Sequence, residues 1–449
     1  MLSSLEFAGT ESLLMHNVLP AEPSFPLPVL TLKKRSTERL RSGHHWVFSN
    51  ELSVVPTELP AGSFVEIQDS FKRSYGAALF NPHSLVAARL LKTTAEELTT
   101  RPFVELLYER VSSAYEFRKR IFPTETSYRL VFGESDRIPG VIVDLYTNRD
   151  KRPDRQGTYL SLQTLSAGMD ARKAELVEAL RRVLPDTQAI IEKNNSALRK
   201  LEGLELHEGI LWSRSESATE AAHTLQITEN DIRYELSLLK GQKTGYFLDQ
   251  KLNRLRLQEL ARGLKVLDCF TNQGGFALNA AHGGAVHVLG LDSSPWAIER
   301  CRVNARLNSL ESVAQFETME VFEFLHNETM RMEMNSSDSN TMPSAMWDCI
   351  VLDPPAFTKS RKHIPVAQRG YAKINRMALK LLPSGGLLAT GSCSHHIHED
   401  MFLDIIREQA FLEGRSLRLV FRGVQSPCHP ILLGMPETQY LKFFIFEVS

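Results

Sequence analysis

A largely apolar run from Trp347 to Leu352 stops on an acid and two prolines, Val351-Leu-Asp-Pro-Pro-Ala-Phe357. Consecutive prolines forbid both a longer strand and an immediate helix. Asp353 is therefore expected at the carboxyl end of a strand, the place where open α/β sheets bind ligands. Phe357 adds a flat face a few residues on. An acid beside an aromatic platform suits a base taken out of its stack, which needs a polar partner for its edge and a surface to lie on. A plain turn after a core strand is the competing reading, and the neighbouring motifs decide between them.

From about Thr224 onward strands and helices alternate with short connections, the signature of a parallel sheet. Strands are expected at 265–269, 286–291, 314–318, 347–352, 387–392, 417–422 and 440–447, with a helix near 366–382 and a turn at Pro383-Ser-Gly-Gly386. The polar stretch 330–346 reads as a mobile loop. Upstream, 29–91 breaks into short strands separated by turn residues, a small β barrel. Residues 99–222 form a second α/β unit: an amphipathic helix over 101–121, a two-strand turn at 128–144, a charged hairpin tip at 148–157, and a strand, helix and strand over 159–192. Residues 213–222 read as a linker. The resulting division is a loosely ordered lead-in (1–28), a basic β module (29–98), a central α/β domain (99–222) and a large α/β domain (223–449).

A chain of 449 residues with 43% hydrophobic and 23% charged residues has ample core for several domains. Its net charge of -1 hides a local excess, since Thr31 to Lys92 carries nine Lys+Arg against five Asp+Glu. Five cysteines, odd in number, confined to the second half and without a C-x-x-C pair, argue for reduced thiols and a cytoplasmic setting. No apolar run reaches the length of a membrane span, and the first residues lack the pattern of a secretory signal.

Four candidate sites fall at expected strand ends. Leu267-Asp-Cys-Phe-Thr-Asn-Gln-Gly-Gly-Phe276 runs from a strand through a glycine turn into a helix. Asp268 can accept from an amine or hydroxyl there, and Gly274 and Gly275 permit close backbone approach. Phe270 and Asn272 stand where a dinucleotide fold has glycines, which argues against NAD or FAD and for a nucleoside with a small charged tail. Asp292, followed by Ser293, ends the next strand, 24 residues after Asp268, where an acid suits ribose hydroxyls. Glu320 follows the third strand, with an N-cap as the plain alternative. Thr390-Gly-Ser-Cys-Ser394 ends the fifth, making Cys393 a candidate nucleophile beside Asp353. The histidines that follow (His395, His396, His398) match no common zinc spacing, so no metal is expected. Upstream, Gly241-Gln-Lys-Thr-Gly-Tyr-Phe-Leu-Asp-Gln250 reads as a lip over the pocket. In the basic module, Lys33, Lys34, Arg35, Arg39 and Arg41, followed by Gly43, His44 and Trp46, can meet phosphates. A solvated helix face with a core tryptophan is the alternative.

Taken in order, "GQKTGYFLDQ", "DCFTNQGGF", "LDPPAF" and "GSCS" resemble the bacterial large-subunit ribosomal RNA cytosine-C5 methyltransferases. The likeness extends over roughly 29–449 through "RSGHHWVFSNEL", "FNPHSLVAARLL", "YRLVFGESDRIPGVIVD", "RKLEGL" and "GMPETQYLKFFIFEV". The resemblance implies a class I, Rossmann-like methyltransferase domain with a seven-stranded, mostly parallel sheet, behind a small α+β domain and an N-terminal PUA-like barrel. It implies S-adenosylmethionine as cofactor and RNA, 23S rRNA or a large-subunit precursor, as partner. Asp268, Phe270, Thr271, Asn272, Gly274 and Gly275 would hold the methionine part, Asp292 with Ser293 the ribose, and Glu320 would lie near the adenine, where family members usually carry aspartate. Lys243, Thr244, Tyr246 and Asp249 would close over the cofactor, with Asp353 at its edge. Cys393 matches the motif cysteine that attacks the base, with Asp353 at the pyrimidine N3 and Phe357 as stacking face. Two other readings stay open: a guanine or exocyclic-amine methyltransferase that does not use the cysteine, and a non-catalytic RNA-binding assembly factor.

Overall fold

The computed structural model describes residues 26–34, 36–241, 244–338, 346–358 and 360–449. Most of the expected lead-in, together with Arg35 and Lys243, lies outside them. The chain packs as two compact units. The first holds residues up to Ile227 with 236–246 and 428–436; the second holds 228–235, 247–427 and 437–449.

The first unit contains two sheets. Strands β1 (Val29–Thr31), β2 (Trp46–Val47), β3 (Ser63–Gln68), β4 (Ser74–Phe80) and β5 (Ala88–Leu90) form a sheet of order β1-β3-β4-β5-β2, with helix α1 (Glu38–Arg41) between β1 and β2. An isolated bridge from Leu32 to Leu52 joins the chain just beyond the two outer strands, so the sheet curls back on itself as a small barrel. Alternation fills its interior: Val65, Ile67, Ala78, Phe80 and Leu90 all point into one core.

Helix α2 (Ala95–Thr99), capped by the Thr94 side chain, leads to α3 (Phe103–Ile121). Phe103, Leu106, Leu107, Val111 and Ala114 make a single buried stripe on α3, and Pro123 forbids its continuation. Strands β6 (Tyr128–Phe132), β7 (Val141–Asn148), β8 (Gly157–Thr164), β9 (Thr187–Asn194) and β10 (His207–Ser213) follow, in order β10-β9-β8-β7-β6. Only β8 and β9 are parallel, because only they are joined by helices, α4 (Ala167–Ala171) and α5 (Lys173–Val183).

Here the expected linker at 213–222 gives way to structure. After β10, helix α6 (Glu216–Ala221) is capped by the Ser215 hydroxyl, which accepts from Ala218 N at 3.1 Å, and it buries Ala218 and Ala221. An alanine face among serines and threonines carries little hydrophobic signal. Hairpin strands β11 (Leu225–Glu229) and β12 (Ile232–Leu236) turn through Asn230 and Asp231, both at positive φ, as a two-residue hairpin turn demands.

In the second unit, α7 (Lys251–Leu260) precedes β13 (Lys265–Cys269), α8 (Gly275–His282), β14 (His287–Asp292), α9 (Pro295–Leu307), β15 (Ala314–Thr318), α10 (Val321–Asp338) and β16 (Cys349–Leu352). There follow α11 (Ile364–Leu381), β17 (Leu387–Ser392), α12 (Glu399–Leu412), β18 (Leu417–Gly423) and β19 (Lys442–Val448). Sheet order is β15-β14-β13-β16-β17-β19-β18, with β19 antiparallel to both neighbours and the first five strands parallel. All seven expected strands form. The stretch from 330 to 338 is helical rather than a loop: it lacks β-formers but is rich in Met, Glu and Arg, which favour helix, and Met332 packs on the core. Residues 339–345 lie outside the described chain. Strand order reverses between β13 and β16, so the carboxyl ends there open the crevice in which such sheets bind ligands.

Candidate active site

The register aligns Asp268 of β13 with Val351 of β16, and Val351 with Ala389 of β17. Asp268, Asp353 and Cys393 therefore end adjacent strands on one edge of the sheet. Asp268 is 1% exposed. Its Oδ2 accepts from Thr271 Oγ1 at 2.6 Å and Ala277 N at 2.9 Å, while its Oδ1 is buried with no hydrogen-bond partner among the described residues. Burial raises the carboxyl to about 7, opposed by those two hydrogen bonds and reinforced by the neighbouring Asp353. A buried carboxylate with one unsatisfied oxygen calls for a cationic donor.

The turn after β13 is strained in a patterned way. Phe270 (φ 64°), Asn272 (φ 51°) and Gly274 (φ 85°) all sit in the left-handed region, which is rare for a bulky side chain such as Phe270. Tertiary contacts hold it there: Thr271 N donates to Leu291 O at 2.9 Å, and Asn272 N to Asp292 Oδ2 at 3.0 Å. Asp292 thus ends β14 tied to this turn, its other oxygen accepting from Ser294 N at 2.9 Å, with Ser293 exposed beside it. Gly275 is needed for a different reason from the one its motif suggests. A Cβ there would lie 2.7 Å from Arg254 Nε, so a side chain of α7, not a ligand, fills that space. Glu320 is exposed and its carbonyl accepts from Phe324 N, which places it at the start of α10.

Asp353 is half-buried, and its Oδ1 accepts from Gln250 Nε2 at 2.9 Å. Gln250 Oε1 accepts from Asn253 Nδ2 at 2.6 Å, which fixes the amide and so the carboxylate. Asp249, next to it, is buried and accepts from Tyr440 Oη at 2.7 Å. Thr244 and Tyr246 belong to the first unit, where the Tyr146 hydroxyl donates to Thr244 O at 3.3 Å and accepts from Tyr246 N at 3.2 Å.

Of the five cysteines Cys393 alone is not buried. Burial pushes the thiols of Cys269 and Cys301 well above their ordinary value and that of Cys349 to about 12, so these three are packing residues. The backbone around Cys393 is pinned on both sides. Ser392 Oγ donates to Tyr371 Oη at 2.9 Å, and Tyr371 Oη and Ser394 Oγ lie 3.0 Å apart. Lys442 Nζ donates to Ser394 O at 2.8 Å and Ile397 O at 2.7 Å. Burial lowers the Lys442 ammonium to about 8, against the raising influence of Cys393 and Glu399. Phe357 is half-buried, 4.6 Å between centroids from Tyr371 and 6.0 Å from Phe322. Gln250, Tyr371, Tyr440 and Lys442 are site residues that motif reading passed over. A lone lysine entering the apolar strand Phe443-Phe-Ile-Phe446 was the one legible signal among them.

In the basic module, Lys33, Lys34 and Arg41 are exposed, and the first and last of these donate to Asn50 O (3.0 Å) and Tyr75 Oη (3.3 Å). Arg39 lies 4.4 Å over the Phe48 ring and donates to Trp46 O at 3.2 Å. His44 is buried and accepts from Trp46 N at 3.1 Å, while the Trp46 indole donates to Glu134 at 2.7 Å. His44 is thus enclosed, whereas Trp46 is part-buried with its indole N–H engaged. Glu134 and Asp136 are ion-pair anchors: Glu134 also holds Arg89, and Asp136 takes both arms of the fully buried Arg118 while accepting from Phe132 N at 2.6 Å.

Strand order, the acid-ended β13 and β14 and the unsatisfied Asp268 oxygen define a class I S-adenosylmethionine-dependent methyltransferase. That oxygen fits the α-ammonium of the cofactor. The S-adenosylmethionine-dependent methyltransferase family matches residues 159–434, and a PUA-like domain matches 30–93. The chain is 32% identical over 422 residues to ribosomal RNA large subunit methyltransferase I of Erwinia tasmaniensis, covering 93% of this chain and 99% of the relative. It is 33% identical over 424 residues to the protein of that name from Klebsiella pneumoniae (strain 342), covering 94% and 98%. The chain belongs to the ribosomal RNA large subunit methyltransferase I family. Among solved structures, a protein from Streptococcus mutans described as a SAM-dependent methyltransferase shares the fold, with TM-score 0.75, 20% identity and coverage of 94% of this chain and all of that one. Another, of a methyltransferase complexed with SAH, gives TM-score 0.74 at 21% identity, with 94% of this chain and all of that one covered. Among the described residues no cluster of three metal-ligating side chains occurs, and no helix is long and apolar enough to cross a membrane.

Proposed function

We propose that the protein methylates carbon-5 of a cytosine in large-subunit ribosomal RNA through a covalent adduct with Cys393. The observation that carries this reading is the half-exposed thiol of Cys393, on the strand adjoining the one that Asp353 ends, while its fellow cysteines are buried. The names of the relatives support ribosomal RNA as substrate, and the PUA-like domain supports RNA as partner.

Asp268 would take the cofactor's ammonium, Asp292 and Ser293 its ribose, and Glu320 would lie near its adenine. The bound cofactor supplies a methyl group on a sulfonium, and carbon-5 of the adduct is the atom that accepts it. Carbon-5 of cytosine is a poor nucleophile. Attack of the Cys393 thiolate on C6 forms an S–C6 bond and pushes the ring electrons to C5, which becomes enamine-like. Asp353, whose Oδ1 is held by Gln250, acts in its protonated form: its carboxyl donates a hydrogen bond or its proton to the pyrimidine N3 and so neutralises the negative charge that develops there. Loss of the C5 proton to a base then expels the thiolate and restores the aromatic ring. Phe357 offers a stacking face to the extruded base, and Lys33, Lys34 and Arg41 offer charges to RNA phosphates.

The test is transfer of labelled methyl from S-adenosylmethionine to large-subunit rRNA lacking its native methylation, by wild type and Cys393→Ala, with nucleoside analysis. Formation of 5-methylcytidine by wild type and none by the variant supports the reading. An active variant, or a methylated guanosine or exocyclic amine as product, replaces it with a thiol-independent methyltransferase. An intact protein that binds no S-adenosylmethionine would make it a non-catalytic assembly factor.

A further inference from the structure

Between Asp353 and Glu399 the chain carries seven Lys+Arg and no Asp or Glu. This segment contains both the Asp353 and the Cys393 motifs, and most of its cations fall on or just before α11. Arg369, Lys373, Arg376 and Lys380 recur at spacings of four, three and four and so form one stripe along that helix, and Arg361 and Lys362 lie in the short 3-10 turn that leads into it. The helix leaves the carboxyl end of β16, where Asp353 lies, and returns to the amino end of β17. One end of the stripe is therefore beside the active site and the other is remote from it.

The two ends differ in how their charges are used. At the remote end, Arg376 pairs with Glu413 at 2.5 Å and Lys380 with Glu333 at 2.7 Å. Lys373, midway, lies 5.7 Å over the Phe322 ring. At the site end, Arg361, Lys362 and Arg369 are exposed and make no ion pair or hydrogen bond among the described residues. Pairing the far cations with acids while leaving those at the catalytic edge without one is not what a merely solvated helix face requires.

We infer that Arg361, Lys362 and Arg369 form a phosphate-binding surface that grips the RNA backbone flanking the target nucleotide. Lys362, in the 3-10 turn Arg361–His363, and Arg369, in the second turn of α11, are separated by on the order of 10 Å of chain rise, a span that reaches phosphates on either side of one extruded nucleotide. This surface belongs to the second unit, whereas the basic β module belongs to the first. The inference rests on the proposed action on RNA.

The test uses the full chain and an unmodified transcript of large-subunit rRNA. The triple variant Arg361→Gln, Lys362→Gln, Arg369→Gln is compared with wild type and with the remote pair Arg376→Gln, Lys380→Gln. Losing three contacts to single-stranded phosphates flattens the plot of log affinity against log salt by about 2. The RNA KM is expected to rise about tenfold or more with kcat little changed, and S-adenosylhomocysteine binding, which reports an intact fold, stays as in wild type. The remote pair leaves the salt slope unchanged. A triple variant that keeps the wild-type slope and KM overturns the inference while the functional reading stands. Wild type that binds the transcript with this salt dependence, lost in the triple variant, yet methylates nothing supports the surface and refutes the functional reading. No binding of the transcript by wild type overturns the surface.

Discussion

The carboxyl ends of β13 and β17, one strand apart in the same sheet, are built on opposite principles. At β13 the functional group is enclosed: Asp268 is 1% exposed, its carboxyl is raised to about 7, and one oxygen lacks a partner. Its environment becomes complete only when a cation arrives. At β17 the functional group is reachable while its backbone is fixed, since Tyr371 holds the hydroxyls of Ser392 and Ser394 and Lys442 holds two carbonyls. An enclosed charge selects a ligand by electrostatic need, whereas a partly exposed cysteine on a hydrogen-bonded strand end suits attack on a large substrate that must come and go. The proposed function would put binding at the closed end and bond-making at the open one.

The largest expected effect tests the open end. Cys393→Ala should lower methyl transfer by about 10⁴-fold or more, because the proposed reaction runs through a bond from this thiol to C6. Affinity for S-adenosylmethionine, measured by calorimetry, should stay within about twofold. If both fall together, the ends are not separable. The next effect tests the closed end. Asp268→Asn keeps the shape but removes the charge, and a charge-assisted hydrogen bond is worth about 1.5–3 kcal/mol. Cofactor affinity should fall about 10- to 150-fold, with RNA affinity unaltered in a filter-binding measurement.

How legible each end was in the sequence follows from the same contrast. The strands of the second unit, and the acids and thiol at their ends, follow from apolar runs that stop on chemistry-bearing residues, and all seven formed. The supporting groups were not legible because they come from distant segments. Gln250 reaches Asp353 across 103 positions, and Tyr440 reaches Asp249 across 191. No spacing rule connects such pairs. Elements built from small or polar residues were missed for a different reason. Helix α6 buries only alanines, and the last turns of α10 are polar, so neither has the large-residue periodicity by which helices are recognised. The basic module shows that residue type does not reveal availability: His44 looks like a binding group in sequence and is buried, while Trp46 keeps a part-exposed ring with its indole N–H bound to Glu134.

A third, smaller effect is the pH dependence of the closed end. With the Asp268 carboxyl raised to about 7 in the cofactor-free protein, only about a tenth is ionised at pH 6. The ammonium of the cofactor needs the carboxylate, so affinity should weaken about tenfold between pH 8 and pH 6, with proton release on binding near neutrality. The stability of the free protein carries the opposite sign. A carboxyl whose folded value exceeds its ordinary 3.8 favours the folded state fully below that value, and this contribution is lost as pH rises through about 7. Thermal melts of free and cofactor-bound protein from pH 5 to 8 should therefore diverge as pH rises. Parallel curves would remove Asp268 from the ammonium site.

The smallest effect concerns Lys442, and it asks whether the open end is rigid only or also electrically tuned. The Lys442 ammonium is mostly buried, binds the carbonyls of Ser394 and Ile397, and interacts with Cys393 across the strand end. A cation beside a thiol favours the thiolate that the proposed attack on C6 requires. Lys442→Met keeps the length and apolar stem of the side chain but removes the charge. If tuning operates, the rise of the pH–rate profile should move about one unit to higher pH, costing a few-fold to tenfold in kcat near neutrality and recovering at alkaline pH. In wild type the same assistance fades as Lys442 loses its proton near 8. A uniform loss at every pH would mean that Lys442 only braces the Ser394–Ile397 turn. In that case the two strand ends differ in exposure but share no use of charge.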